Sequence, residues 1–332
     1  MNNLFKFRMK AFALAALLLA GLSSAFAQQK DTIAIVNAGS SGTRLYVYEI
    51  DPSAKAVDTI YTREFPIRLS DMAQSDPEPG ITEFCNTLEQ ANILGKKMKL
   101  YILATAGMRN VNATNAARIY DSLKARTFSK YERPEAMTIS GRYEGLYAWM
   151  AANYNTLRTA ATATPENTRG ILEIGGQSMQ IAFVKNDNIS DIERNNAYIY
   201  SKSYINGGVN AVNSPGAGLY ETHVPDLPDV KRDIPEQMKF YGLGGTINGI
   251  NGTDAPSNSF GKKVKAKARD DSNPYKKNAC YLKWVLEQLG LLGGDKIIPI
   301  KVDWTLGAAY DIGINSNADL IEAFDYGLSV PN

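Results

Sequence analysis

Apolar positions fall into one repeated pattern along the chain. They run almost unbroken from Thr32 to Val36, and from Leu45 to Ile50 apolar and aromatic residues are interrupted only by Glu49. Short β-branched and aromatic runs bounded by small polar residues read as strands. The segment between them, Asn37-Ala-Gly-Ser-Ser-Gly-Thr43, makes the whole a strand, a tight turn and a strand. The same arrangement recurs as Gly170–Ile174, Gly175-Gly-Gln-Ser178 and Met179–Val184, and predicts two lobes of related fold. Between the repeats, Pro79-Gly80 opens a helical stretch from about Ile81 to Gly95. Leu100–Leu103 reads as a buried strand and Asn112 to Lys124 as a helix. Ser140–Asn155 reads as another helix, capped by Ser140, with Leu146, Trp149 and Met150 on one face. Thr159–Asn167, rich in Ala and Thr, reads as a connection. Beyond the second repeat come a loop (Pro225–Pro235), a Gly-rich segment (Phe240–Thr246), a helix (Tyr281–Leu291), a strand (Ile297–Val302) and a last helix beginning at Trp304–Ile312.

Composition narrows the chemistry. Of 332 residues, one is histidine and two are cysteine, too few for a multi-histidine or Cys₄ metal site. A metal here is expected on oxygen ligands, as magnesium or calcium. His223 lies in a Pro/Asp-rich stretch and reads as a surface loop residue, so a general base is expected to be a carboxylate. Residues 1–27 hold Lys6, Arg8 and Lys10 and no acid, then the apolar run Ala11–Leu22, then Ala25-Phe26-Ala27. That is the pattern of a cleavable secretory signal. Its loss turns the net charge from +2 to −1, leaves no apolar stretch long enough for a membrane anchor, and predicts an exported chain, periplasmic or secreted. Export also makes a Cys85–Cys280 disulfide permissible.

A turn of Gly, Ser and Thr between strands lets successive N–H groups converge on an anion. Taken singly, each such turn reads as a plain hairpin. Two of them on facing lobes would clamp a polyphosphate. No Walker A sequence is present. Glu144 reads either as a solvated helix glutamate or as a functional carboxylate. Its neighbours Gly141 and Gly145 each cost a helix about 1 kcal/mol relative to Ala, which suggests close approach to something. Lys262, Lys263, Lys265, Lys267, Arg269, Lys276 and Lys277 form a basic run. It is read as a solvated loop, or as a steering patch for anionic substrates. Nucleic-acid binding is not expected of a chain that is not basic and carries no recognition motif.

Five segments carry a resemblance. Ile35-Val-Asn-Ala-Gly-Ser-Ser-Gly-Thr-Arg44, Ala104-Thr-Ala-Gly-Met-Arg109, Gly141-Arg-Tyr-Glu-Gly-Leu-Tyr-Ala-Trp149, Leu172-Glu-Ile-Gly-Gly-Gln-Ser-Met-Gln-Ile181 and Trp304-Thr-Leu-Gly307 resemble, in order, the five conserved regions of the apyrases, the nucleoside triphosphate diphosphohydrolases. The resemblance implies an α/β fold of the actin/hexokinase/chaperone superfamily. Two RNase-H-like lobes, each a mixed five-stranded sheet with flanking helices, would enclose a central cleft. Lobe I would cover 28–160, rejoined by the C-terminal helix 308–332, and lobe II 161–307. The implied activity is metal-dependent hydrolysis of the terminal phosphate of nucleoside tri- or diphosphates such as ATP or ADP, by in-line attack of water.

Residue by residue, Glu144 matches the family's general base. Ser178 and Gln180 match residues that hold the attacking water, and Thr105 one near the terminal phosphate. Ser40, Ser41, Gly42 and Thr43 match the first phosphate turn, and Gly175, Gly176 and Gln177 the second. Arg109 is expected to be structural. Asn37 and Glu173 stand where the family usually has Asp beside its Mg²⁺ or Ca²⁺, and Trp304 matches a residue next to that site. These departures predict weaker metal binding or an altered metal preference. Tyr241 is a candidate for stacking on the base, or a core residue. Two alternatives stay open: an exopolyphosphatase-like phosphohydrolase of the same superfamily, and a nucleotide-binding pseudoenzyme with weak turnover.

Overall fold

The computed structural model describes residues 30–74, 76–91, 94–95, 97–185, 192–194, 197–252 and 259–316. The expected export signal at 1–27 and the chain beyond 316 lie outside these residues.

Two sheets organise the chain. β1 (Asp31–Gly39), β2 (Gly42–Asp51), β3 (Ala56–Phe65), β4 (Lys99–Ala104) and β5 (Glu135–Thr138) form the first, ordered β3-β2-β1-β4-β5. β6 (Gly170–Ile174), β7 (Met179–Val184), β8 (Ile192–Arg194), β9 (Ala197–Tyr204), β10 (Phe240–Leu243) and β11 (Ile297–Pro299) form the second, ordered β11-β10-β6-β7-β9-β8. Both open with an antiparallel meander and continue with parallel strands. Read from the opposite edge, the second repeats the first, so the echo between the two hairpins extends to whole sheets. β8 adds a sixth strand at one edge, beyond the five expected.

The helices that shape the site are α1 (Glu78–Ala91), α2 (Ala113–Ala125), α3 (Gly141–Ala152), α4 (Gly245–Asn251), α5 (Phe260–Arg269), α6 (Lys276–Gln288) and α7 (Thr305–Gly313). Because side chains alternate across a strand, the two faces of β1 feed different cores. Ala34, Val36 and Ala38 pack towards α1 and α2, while Ile33 and Ile35 pack towards α3 and α7. In β6, Ile171 packs into that same middle layer, and Leu172 and Ile174 pack away from it towards α6. Each sheet is therefore covered on both faces, with α3 and α7 between them. A helix in such a layer is apolar around most of its circumference, and α3 is buried from Tyr143 to Ala151. Ser140 caps it as expected, its Oγ accepting from Tyr143 N at 3.3 Å. A Cβ on Gly141 would collide with Ser203 of β9, and one on Gly145 would come within 2.6 Å of Ser201 Oγ. The two glycines serve close approach, here to the second sheet. Gly307 does the same for α7, where a Cβ would strike the Tyr147 carbonyl of α3.

Several expectations change. The basic run is mostly helix, α5, with Phe260 and Val264 inward and the lysines outward. The Pro225–Pro235 loop contains the helix Leu227–Asp233. His223 ends a short helix, Tyr220–His223, and its Nε2 bonds the Ala217 carbonyl at 2.7 Å. Cys85 and Cys280 do not pair. Cys85 lies in the α1 core of the first lobe, while the Cys280 thiol reaches Ala268 O at 3.5 Å in the second. No helix among the described residues is long and apolar enough to cross a membrane.

Candidate active site

β1 and β6 end side by side, each followed by a small-residue turn, and both turns open into one cleft of about 850 Å³. Asn37, Ser40, Ser41, Thr105, Glu144, Glu173, Gly175, Gly176, Gln177, Ser178 and Trp304 all line it. The turns meet: a Cβ built on Gly176 would lie 3.1 Å from Ser40 Oγ. The second turn is braced by the segment after β9. Gly208 N, Val209 N and Asn210 N donate to the carbonyls of Gln177, Gly175 and Gly176 at 3.2, 3.1 and 2.8 Å. Gly208 has no room for a side chain against that turn.

Four expected residues are placed otherwise. Gly42 and Thr43 fall within β2 and do not line the cleft. The Thr43 hydroxyl donates away from it, to Ile67 O at 2.5 Å. Tyr241 sits in β10 beneath the Arg169 guanidinium, 4.9 Å from ring centroid to Cζ, and does not line the cleft. Gln180 lies behind the cleft wall at 1% exposure. Its Nε2 donates to Ser178 Oγ (2.8 Å), Ser203 Oγ (3.1 Å) and Glu144 Oε2 (3.1 Å). An amide shared among three acceptors has no hydrogen to spare for a water, so Gln180 orients Glu144 and Ser178.

Glu144 is held on one oxygen by a buried cation and an amide. Arg109, from the short helix Ala106–Arg109, bonds its Oε2 at 2.5 Å and anchors itself on Ile139 O through Nε at 3.1 Å. Both members of this ion pair are buried. Arg109 and Gln180 together occupy Oε2 and leave Oε1 for the cleft.

Glu173 differs in kind. It follows Ile171 on the middle-layer face of β6, yet its Oε2 is enclosed and has no hydrogen-bond partner among the described residues. Burial pushes its carboxyl well above the ordinary carboxylate range. The nearby charges of Glu144 and Asp303 add to the rise, and Arg109 opposes it. An acid raised in the folded state lowers stability as pH climbs above its ordinary value of 4.5. Glu173→Gln should therefore raise the Tm of metal-free protein, by about 1 kcal/mol of stability or more. The gain should be larger at pH 8 than at pH 5, as thermal melts in chelator at both pH values would show.

Sequence reasoning missed four residues. Asp303 lines the cleft and accepts from Asn37 Nδ2 at 3.3 and 3.1 Å, from Tyr46 OH at 3.0 Å, and from Thr305 N and Oγ1 at 3.0 and 2.8 Å. It stands immediately before the Trp304 motif, the only sequence cue to it. Tyr275, 43% exposed, presents its ring to the cleft with Lys267 Nζ 5.4 Å from its centroid. Gly208 and Asn210 were signalled only by the Gly207-Gly208 pair. Among the described residues no cluster of three metal-ligating side chains is compact enough to cage an ion. Magnesium does not need one: it keeps several waters and takes one or two carboxylates plus substrate phosphates. The orphaned Glu173 oxygen beside Asp303 fits an ion held in that way.

Known proteins resemble the chain in sequence and in fold. Residues 94–210 match the GDA1/CD39 (nucleoside phosphatase) family model, a span that includes Thr105, Arg109, Glu144, Glu173 and Ser178. The chain is 29% identical over 206 residues to "Probable apyrase 5" of Arabidopsis thaliana, covering 53% of this chain and 40% of that one. It spans about two fifths of the length of the curated relatives it matches. Among solved structures, the PPX-GPPA enzyme of Aquifex aeolicus aligns at a TM-score of 0.55 and 14% identity, covering 85% of this chain and all of that one. A nucleoside triphosphate hydrolase structure from Neospora caninum aligns at 0.51 and 12%, covering 93% and 100%. At such identities the likeness concerns the fold. The apyrase resemblance and the two-lobed fold are both borne out.

Proposed function

We propose that this apyrase-like chain is a divalent-metal-dependent phosphohydrolase that cleaves the terminal phosphoanhydride of nucleoside tri- or diphosphates. The observation that carries the proposal is the meeting of two Ser/Gly turns, one from each lobe, beside a carboxylate with one free oxygen. The family match supports nucleotide substrates, as does the aromatic Tyr275 at the cleft wall.

In this reading the Ser40–Ser41 and Gly175–Gln177 turns bind the phosphates through backbone N–H and hydroxyl groups. Glu144 Oε1 takes a proton from the water as its oxygen bonds to the terminal phosphorus. The phosphorus–oxygen bond to the leaving phosphate breaks in line. Ser178, whose Oγ already accepts from Gln180, is left to donate its own proton into the cleft. Thr105, with no capping bond to spend its hydroxyl on, does likewise. A bound Mg²⁺ or Ca²⁺ would neutralise charge on the phosphates, and Glu173 with Asn37 and Trp304 would surround it. The same proposal places the chain outside the cytoplasm, on the strength of residues 1–27.

A polyphosphate substrate is the second reading, favoured by the withdrawal of Tyr241 from the cleft. Phosphate release from ATP, ADP and polyphosphate, with metal and with chelator, tests the activity. Nucleotide binding without release from any substrate would leave the pseudoenzyme. Tyr275→Ala separates the two substrates. Base–aromatic stacking contributes about 1–3 kcal/mol, so KM for nucleotides should rise about tenfold while polyphosphate kinetics stay unchanged. Equal effects on both would remove the stacking role.

A further inference from the structure

We propose that the cleft carboxylate absent from position 37 has moved to Asp303, and that Asp303 and Glu173 together hold the divalent cation, with Asn37 as the amide matched to Asp303. This rests on the metal-dependent reading above but concerns which residues of this chain meet the ion.

Position 37 ends the middle-layer face of β1, and position 173 is its counterpart on β6. A carboxylate at 37 would lie about as close to Asp303 as the Asn37 amide now does, 3.1 Å from Nδ2 to Oδ2. Two carboxylates at that separation cannot both ionise without a cation between them. The amide removes the conflict by donating to both Asp303 oxygens. Asp303 is held in one orientation by Thr305 on Oδ1 and Tyr46 on Oδ2. All of these donors are neutral, and no lysine or arginine among the described residues forms an ion pair with it. Arg44, which lines the same cleft, pairs with Glu64.

Four carboxylates line the cleft, and two of them are paired, Glu144 with Arg109 and Glu64 with Arg44. Glu173 and Asp303 remain without an ion-pair partner among the described residues, and the enclosed Glu173 oxygen lacks a hydrogen-bond partner as well. Two carboxylates without ion-pair partners offer hard oxygen donors that suit one hydrated divalent cation in charge and chemistry. Trp304, between Asp303 and Thr305, is 2% exposed and stacks on Tyr147 of α3, which fixes the segment carrying the ligand.

The test is a charge transposition read by metal binding, with Mn²⁺ titrated calorimetrically into native protein and three variants. Asp303→Asn should weaken Mn²⁺ binding about 10- to 100-fold, the range found when groups supporting a metal are lost. Asn37→Asp should lower the metal-free Tm by several degrees and give the largest Tm rise on adding Mn²⁺. The double variant Asn37→Asp/Asp303→Asn should recover native metal-free Tm and most of the native affinity. Unchanged affinity in Asp303→Asn, or a double variant as weak as that single one, overturns the proposal. So does a native chain that binds no Mn²⁺ with or without ADP. Native protein that binds Mn²⁺ through Asp303 and releases no phosphate would overturn the functional reading and leave this one standing.

Discussion

Glu144→Gln should lower the rate of phosphate release by about 10²- to 10⁴-fold, the usual contribution of a positioned general base, while nucleotide affinity changes little. The amide is the right replacement because of what surrounds the carboxylate. Arg109 and Gln180 both donate to Oε2, and a glutamine oxygen can still accept from them. Alanine would instead leave the Arg109 guanidinium buried with no counter-charge, and the loss of rate would be confounded with loss of structure. Kinetics that split as a fall in kcat with little change in KM would assign Glu144 to the chemical step. A change in KM alone would make it a binding residue.

Arg109→Met should destabilise the fold by about 3–5 kcal/mol, the cost of removing one member of a buried ion pair. The exposed Arg232–Asp229 pair, by contrast, should contribute less than about 1 kcal/mol. The loss would be severe because the buried Glu144 would lose its ion-pair partner while Glu173 and Asp303 stay in the same cleft. Combining Arg109→Met with Glu144→Gln should recover most of the loss, since the uncompensated carboxylate goes with its partner. Denaturant unfolding of the two single variants and the double gives that coupling. Additive losses would mean that the pair does not act as a unit. Arg109 does not line the cleft, so its effect on rate should follow from the position of Glu144.

The elements that build the site were the most legible part of the sequence, and the reason is local. β1 with β2, and β6 with β7, join apolar strands through turns of two and four residues rich in Gly and Ser, and β1, β6 and β7 are buried along nearly their whole length. Ser140 announces α3 with a capping side chain. β3 was not legible because it lies at a sheet edge with most of its positions exposed. β5 is only four residues long. α5 was hidden by its charge: the lysines that mark its outer face outnumber Phe260 and Val264, which hold it down.

The same division holds within the cleft. Glu144, Thr105 and the two turns belong to compact motifs, so their neighbours in sequence are their neighbours in space. Asp303 reaches Asn37 across 266 positions, and nothing near either residue in the sequence records that contact. Tyr241, read as stacking on the base or as a core residue, does not line the cleft. Its segment read only as Gly-rich, and which face of β10 meets the cleft depends on packing against β6 and Arg169. Asn37 read alone looked like a lost metal ligand; beside Asp303 it looks like half of a displaced one.

The most direct measurement is phosphate release from ATP in ¹⁸O-labelled water with Mg²⁺, run for native protein and for Glu144→Gln. The account predicts one labelled oxygen in each orthophosphate, none in the nucleotide product, and release reduced at least about 10²-fold in the variant. Label in the nucleotide product, or release that survives Glu144→Gln undiminished, would contradict it.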